Sequence, residues 1–351
     1  MKIAILTLPL INNYGGILQA YAMQEALKEL GFEAKVLRLI SKNKTLSLAY
    51  CKFLVAKVIK FKKYKNIKFQ PVYLKDTLEF VNKNLNVTAK IFNKNNFSNV
   101  LKKEKFDGIV LGSDQVLRPI YWQFKDYENC LLKCDDKFKK IIYAGSFGSK
   151  EVNNLEKLKS VFDNFKSISV REISGVKLCK KHFGVNDAKW VLDPTLLAHK
   201  SIYEKFFCET KAENKIFAYI LDSNEKTSQI LREVSERENL GVCEVNDNVN
   251  RISIEEWISS IAKAKFVITD SFHGCVFSII FNKPFFAFVN EARGNARLES
   301  LFEMFELKDR IINSSKDISL DKKIDYERVN QILLKQKEFA KNFIISNFGK
   351  I

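Results

Sequence analysis

The opening residues constrain the fold most. Lys2 to Leu8 is a short, continuous apolar run, the pattern of a strand covered on both faces in a parallel sheet. It breaks at Asn12-Asn13-Tyr14-Gly15-Gly16, a turn. Leu18, Ala22, Ala26 and Leu30 then recur every four residues, one stripe of a helix. Gly31 closes that helix as a left-handed cap. Glu33 to Leu39 supplies the next strand. Strand, helix and strand in this order commit the chain to parallel α/β architecture.

The pattern recurs. Asp107 to Leu111 reads as a strand ending in Gly112-Ser113-Asp114-Gln115. Lys140 to Ala144 ends in Gly145-Ser146-Phe147-Gly148, and Ser167 to Val170 ends in Arg171-Glu172 before a helix from about Ser174 to His182. Trp190 to Leu192 ends in Asp193-Pro194-Thr195, where the proline stops a strand. Residues 196–214 read as a crossing between domains. A second set follows: strands at Ile216–Leu221, Gly241–Val245, Phe266–Thr269 and Phe285–Val289, with helices at Glu225–Glu238, Ser253–Ala264 and Cys275–Phe281. Ser253 suits a helix cap.

A chain of 351 residues is too long for one comfortable core. The expected division is residues 1–200, residues 201–320 and a helical tail at 321–351. An insertion at 43–70 interrupts the first domain. Its basic stretch, residues 46–68, has the spacing of an amphipathic helix. Such a helix either lies on an anionic membrane, is solvated, or forms a lid over a cleft.

Composition excludes several classes. No run reaches the ~18 apolar residues that a membrane span needs. The start has no cleavage-site pattern, so a cytoplasmic protein is expected, with peripheral contact at the inner face of the plasma membrane as an extension. Seven cysteines are scattered without a CxxC pair; Cys130 and Cys134 are closest. His182, His199 and His273 match no zinc spacing, and neither a metal nor a cofactor is expected. The net charge of +17 attracts anions generally. The lysines are dispersed and no nucleic-acid module is present, so no nucleic-acid partner is expected.

In open parallel sheets ligands gather at the carboxyl ends of strands, and each punctuating motif falls there. Asp270-Ser271-Phe272-His273-Gly274 follows a strand and opens a helix. Ser271 can cap it, leaving free N–H groups that favour a phosphate by ~0.3–2 kcal/mol. His273 can contact that phosphate or move a proton; the alternative is a histidine packed at a helix start. Arg171 needs an anionic partner, either a ligand or an internal carboxylate, Glu172 or Asp193. Asn13, Tyr14, Gly15 and Gly16 allow close backbone approach, or form a plain turn. They are neither a dinucleotide fingerprint nor a P-loop. Asp114, between Ser113 and Gln115, is a base or a helix cap. Arg293 and Arg297 close over an anion or form a solvated loop.

Asn13-Tyr14-Gly15-Gly16-Ile17-Leu18-Gln19-Ala20-Tyr21-Ala22, Gly112-Ser113-Asp114-Gln115-Val116, Ser169-Val170-Arg171-Glu172, Leu192-Asp193-Pro194-Thr195 and Thr269-Asp270-Ser271-Phe272-His273-Gly274 together resemble the signatures of the polysaccharide pyruvyltransferase family, in its order. The resemblance implies a GT-B-like fold, two Rossmann-like domains facing across a cleft. It implies a phosphoenolpyruvate donor and a pyruvate ketal on a sugar of a cell-surface glycan or a lipid-linked oligosaccharide. It places His273 and Arg171 at the donor. With it, Ser271, Phe272, Gly274, Arg293 and Arg297 are expected on the donor side. His273 and Asp114 carry the proton transfers, and Asn13 to Gly16, Ser113 and Gln115 form the acceptor or cleft loops. One departure is Leu117-Arg118, where relatives carry Trp-Asn; that stretch is expected to face the acceptor. The rival readings are a GT-B glycosyltransferase using a nucleotide-activated sugar and a non-catalytic, polyanion-binding module.

Overall fold

The computed structural model describes residues 1–39, 71–91, 94–119, 138–246, 250–289 and 294–349. The basic segment at 46–68 and Arg293 lie outside the described residues.

Two parallel sheets are present. The first contains β1 (Lys2–Leu6), β2 (Glu33–Val36), β3 (Gly108–Leu111), β4 (Lys139–Gly145), β5 (Ser167–Val170) and β6 (Lys189–Trp190), in the order β2-β1-β3-β4-β5-β6. The second contains β7 (Ile216–Tyr219), β8 (Val242–Val245), β9 (Phe266–Thr269), β10 (Phe285–Phe288) and β11 (Ile311–Ile312), in the order β8-β7-β9-β10-β11. In both, the first two strands run to one side and the rest to the other. The order therefore reverses between β1 and β3, and again between β7 and β9.

The helices that position the site are α1 (Tyr14–Glu29), α2 (Pro194–Leu197), α3 (Ile254–Lys263), α4 (Phe272–Ile280), α5 (Ala296–Met304) and α6 (Tyr326–Phe348). Strand residues alternate between two faces. Ile3 and Ile5 of β1, with Phe217, Val267 and Phe285 of the second sheet, enter one core that spans both domains. Ala4 and Leu6 face a second cluster with Ile109 and Ile142, while Ile216, Phe266 and Phe286 face a third. Each such Ile, Leu, Val or Phe side chain contributes roughly 1.5–3 kcal/mol on burial. Because both faces are covered, the central strands β1, β3, β7, β9 and β10 are apolar almost throughout, and this is why they were legible as continuous runs.

Helix α1 lies between the two domains, and this explains its burial nearly all round. Tyr14 is completely buried. Its ring stacks on Tyr219 at 6.2 Å and meets Trp257 at 5.7 Å, and its hydroxyl donates to the Ile252 carbonyl. Helix α6 starts in the second domain, where the Tyr326 hydroxyl donates to the Ser278 carbonyl at 3.3 Å. It ends on the first, where Phe348 accepts from Lys139 Nζ at 3.1 Å and its ring meets Phe32. The tail is thus a strap of roughly 34 Å across both domains.

Three of the boundaries that move bear on the site. The strand expected at Trp190–Leu192 is Lys189–Trp190, because Asp193 caps α2 through the Thr195 amide and Pro194 occupies its first turn. Residues 196–214 are not a bare crossing: they carry the end of α2 and a further helical turn, Ser201–Glu204. The helix expected from Cys275 begins at Phe272, with Ser271 as its cap. Phe272, His273 and Gly274 therefore belong to its first turn.

Candidate active site

The two points of strand reversal face one another. The segments leaving β1, β3, β7 and β9 enclose a cleft of about 360 Å³, within the range of small-molecule sites. Asn12, Asn13, Gly15 and Gly16 come from the β1 side, Asp114 and Gln115 from β3, Tyr219 and Leu221 from β7, and Asp270 to His273 from β9. Arg297 completes the lining.

Two helices begin at this cleft. Asn13 caps α1 by accepting from the Gly16 amide at 3.0 Å, and Ser271 caps α4 by accepting from the Gly274 amide at 3.4 Å. The remaining first-turn amides point outward from the helix ends, so two positive dipole ends converge on one space. His273 is the residue most closely engaged with both. Its backbone lies in the first turn of α4, and its ring lies against Gly15 of α1. A Cβ at Gly15 would come within 1.9 Å of His273 Nδ1. Gly15 has no positive φ, so the position requires space rather than an unusual backbone.

The cleft also carries acids. Asp270 accepts from the Leu221 amide at 2.7 Å and the Asp222 amide at 3.1 Å, which fixes the loop leaving β7. Asp114 adopts a left-handed φ of 70°, a conformation that a non-glycine residue holds at some energetic cost. It lies 3.7 Å from Arg171.

Arg171 does not line this cleft. It is 3% exposed and sits one layer behind the wall. Its Nη1 is 2.5 Å from Asp193 Oδ2, and its guanidinium lies 4.3 Å from the centre of the Phe272 ring. Of the two internal partners open to it in the sequence, the structure selects Asp193. Glu172 turns away, accepting from the Ser146 hydroxyl and, at 3.2 Å, from the Gly148 amide. The physical reason is the surroundings: an arginine at the end of a fully buried strand requires a charge within reach, and Asp193 at the end of the neighbouring strand supplies one.

Ser113 is also inside, donating to Asp193 Oδ2 at 2.9 Å. Gly274 packs on Thr269, and Tyr14 is taken up by the interdomain core. Asn13, Gly15, Gly16, Asp114, Gln115, Ser271, Phe272, His273 and Arg297 are the expected residues that the cleft brings together. Asp270 is an addition to the lining, and Asp193, open in the sequence only as a partner for Arg171, is an addition behind the wall. Asp193 stood in a motif read as a strand end, and its signal was an acidic residue placed to cap a helix while following a buried strand.

Electrostatics set the protonation of this group. Burial pushes the His273 imidazole down to about 4, against the pull of Asp193. The ring is therefore neutral at pH 7. Burial opposes ionisation of Asp193, but Arg171, His273 and the Thr195 hydrogen bonds outweigh it and hold the carboxyl at about 2. Burial pushes Glu172 upward. The result is a fixed anion behind a neutral imidazole that faces two helix ends.

The family model for polysaccharide pyruvyl transferase matches residues 13–291, the span that carries all of these strand-end motifs. The chain belongs to the polysaccharide pyruvyl transferase family. It is a transferase. No curated protein sequence matches this pyruvyl transferase family member. Among solved structures it is similar to a Methanocaldococcus jannaschii UDP-GlcNAc 2-epimerase in complex with UDP-GlcNAc and UDP, with 14% identity, a TM-score of 0.52, and 96% of this chain and 93% of that one covered. An alpha-glucosyltransferase in complex with UDP and a 13-mer DNA has 10% identity and a TM-score of 0.50, with 99% and 96% covered. These likenesses establish the GT-B-like fold. Among its described residues, no helix is long and apolar enough to cross a membrane, and no group of three or more His, Cys, Asp or Glu is placed to hold a metal.

Proposed function

We propose that the protein transfers the pyruvyl group of phosphoenolpyruvate to two hydroxyls of one sugar in a cell-surface polysaccharide precursor, forming a pyruvate ketal. The observation that supports this most is His273, held at the meeting point of two helix N-termini inside a cleft at both strand-reversal points. The amides of those helix ends and Arg297, with Arg293 four residues before it in sequence, receive the phosphate and carboxylate of the donor. Protonated His273 gives its proton to the methylene carbon. The C=C electron pair forms the new C–H bond, and the cationic centre left at the adjacent carbon is attacked by a sugar hydroxyl. Phosphate leaves with its bridging oxygen and carries off the first hydroxyl's proton. A second hydroxyl closes the ketal, and Asp114 accepts its proton. Arg171 acts from behind, through Asp193. No cofactor takes part in this scheme.

The neutral state that the protein's own groups give His273 fits this sequence of events. A unit negative charge at about 4 Å interacts by roughly 4 kcal/mol at an effective dielectric of about 20, or about 3 pH units. The donor thus raises His273 from about 4 toward neutrality, and the acid is generated only when the donor is bound. The acceptor in this reading is a glycan or a lipid-linked oligosaccharide at the cytoplasmic face of the membrane.

The test is phosphate release from phosphoenolpyruvate with a panel of sugar glycosides and lipid-linked glycans. Loss of a general acid costs ~10²-fold or more, so His273→Ala is expected to lose at least that much turnover. Unchanged release in that variant rules out the assigned role.

A further inference from the structure

We propose that Asp193 is the positioning residue for His273: it fixes the imidazole as the Nε2–H tautomer, so that the proton exchanged with the donor travels on Nδ1. The kinetic consequence rests on the reading of His273 as the acid; the tautomer itself does not.

The two ring nitrogens meet different surroundings. Nε2 is buried, has no hydrogen-bond partner, and lies 3.9 Å from Asp193 Oδ2. Nδ1 is on the opposite flank, the ring atom nearest the position that a Gly15 Cβ would take, and Gly15 lines the cleft. An N–H dipole aimed at an anion is attracted, and a lone pair aimed at it is repelled. At this separation the carboxylate therefore keeps the proton on Nε2 and leaves the Nδ1 lone pair to the cleft.

The carboxylate cannot turn to relieve this. Oδ2 accepts from Arg171 Nη1 at 2.5 Å and from Ser113 at 2.9 Å. Oδ1 accepts from the Thr195 amide at 3.0 Å and the Thr195 hydroxyl at 2.6 Å. Four donors from three chain segments clamp one buried anion. That arrangement has no evident use in packing alone, because a buried ion pair is usually no more stabilising than apolar residues of the same volume. The charges acting on the ring, Asp193 included, are two anions and two cations. Asp114, like Asp193, favours the imidazolium, and Arg171 and Arg297 disfavour it. In the transfer step the Nδ1–H bond breaks, the donor carbon gains the proton, and the ring returns to its neutral Nε2–H form. Solvent at the cleft resupplies Nδ1.

The experiment uses the full chain labelled with 15N-histidine and no donor. The sequence holds three histidines, and the His273 signals are assigned by their loss in His273→Gln. Long-range nitrogen–proton correlation spectra distinguish the two tautomers. The wild type is expected to show Nε2–H. In Asp193→Asn, the signals are expected to move toward a tautomer mixture. With phosphoenolpyruvate and an active acceptor, kcat of that variant is expected to fall by roughly 10- to 100-fold, part of a proton-transfer contribution, with little change in the donor KM. An Nδ1–H wild type overturns the proposal, as does an Asp193→Asn spectrum identical to the wild type at His273. If Asp193→Asn does not fold, the wild-type tautomer still decides. Because the spectrum is read without donor, failure of pyruvyl transfer and failure of this inference are separate results.

Discussion

Replacing Gly15 with alanine will displace His273 and stop turnover while the chain still folds. The added Cβ would lie 1.9 Å from Nδ1 and 2.4 Å from both Cγ and Cε1 of the ring. Non-bonded heavy atoms settle at about 3.5 Å or more, so the ring must retreat by roughly 1.5 Å. Behind it stand the clamped Asp193 at 3.9 Å and the Phe272 ring at 5.2 Å, so the retreat is a rotation out of position. Overpacking of this kind costs about 1–3 kcal/mol. Against that, alanine gains about 1 kcal/mol over glycine within a helix, and Gly15 lies in α1 with no positive φ to protect. The net loss is about 0–2 kcal/mol, a midpoint lowered by a few degrees at most. Activity suffers more, because a misplacement of about 1 Å costs on the order of 10²-fold. Scanning calorimetry and phosphate release measure the two effects. A raised midpoint with wild-type turnover would show that the ring tolerates the methyl group, and the close approach of α1 to His273 would lose its meaning.

Arg171→Ala leaves Asp193 buried without its cation and is expected to cost about 3–5 kcal/mol; urea denaturation measures it, and weakened donor binding at unchanged stability would contradict the placement of Arg171 behind the wall. Tyr14→Phe removes the hydroxyl that donates to the Ile252 carbonyl across the domains and is expected to cost about 1 kcal/mol, read as a lower thermal midpoint. His273 titrates near 6.5 when unfolded and near 4 when folded. Between those values the unfolded chain binds the extra proton, so stability falls as the pH drops from about 6.5 to about 4, by up to about 3 kcal/mol. Urea midpoints compared at pH 7 and in that acid window should show a flatter profile for His273→Gln, and an equally steep one would remove His273 as the cause.

The sequence made the strands legible because burial on both faces leaves no polar alternation to obscure them, as in β1 and β9. It also placed the chemistry, because the residues that follow β3 and β9 are polar or small where strand propensity ends, and the apolar run that starts with β1 gives way to Asn12-Asn13-Tyr14-Gly15-Gly16. Contacts between distant segments were not legible. The partner of Arg171 lies at Asp193, on the next strand end, and nothing in spacing separates it from the adjacent Glu172. Tyr14 stood in a glycine turn and read as a cleft residue, yet Tyr219 and Trp257 claim its ring. The start of α4 was missed by three residues because Phe272, His273 and Gly274 have modest helix propensity, although the cap at Ser271 was visible. The strap made by α6 depends on Phe348 reaching Phe32, a pairing that only the folded chain reveals.

Calorimetric titration at pH 7 reaches the heart of the account, that this cleft takes a small, doubly acidic donor. Phosphoenolpyruvate should bind saturably, one molecule per chain, and the binding should weaken in Arg297→Ala and survive a large excess of UDP-N-acetylglucosamine. Saturable binding of the nucleotide sugar, with no heat from phosphoenolpyruvate, would mean that the chain uses its GT-B-like cleft for a different donor.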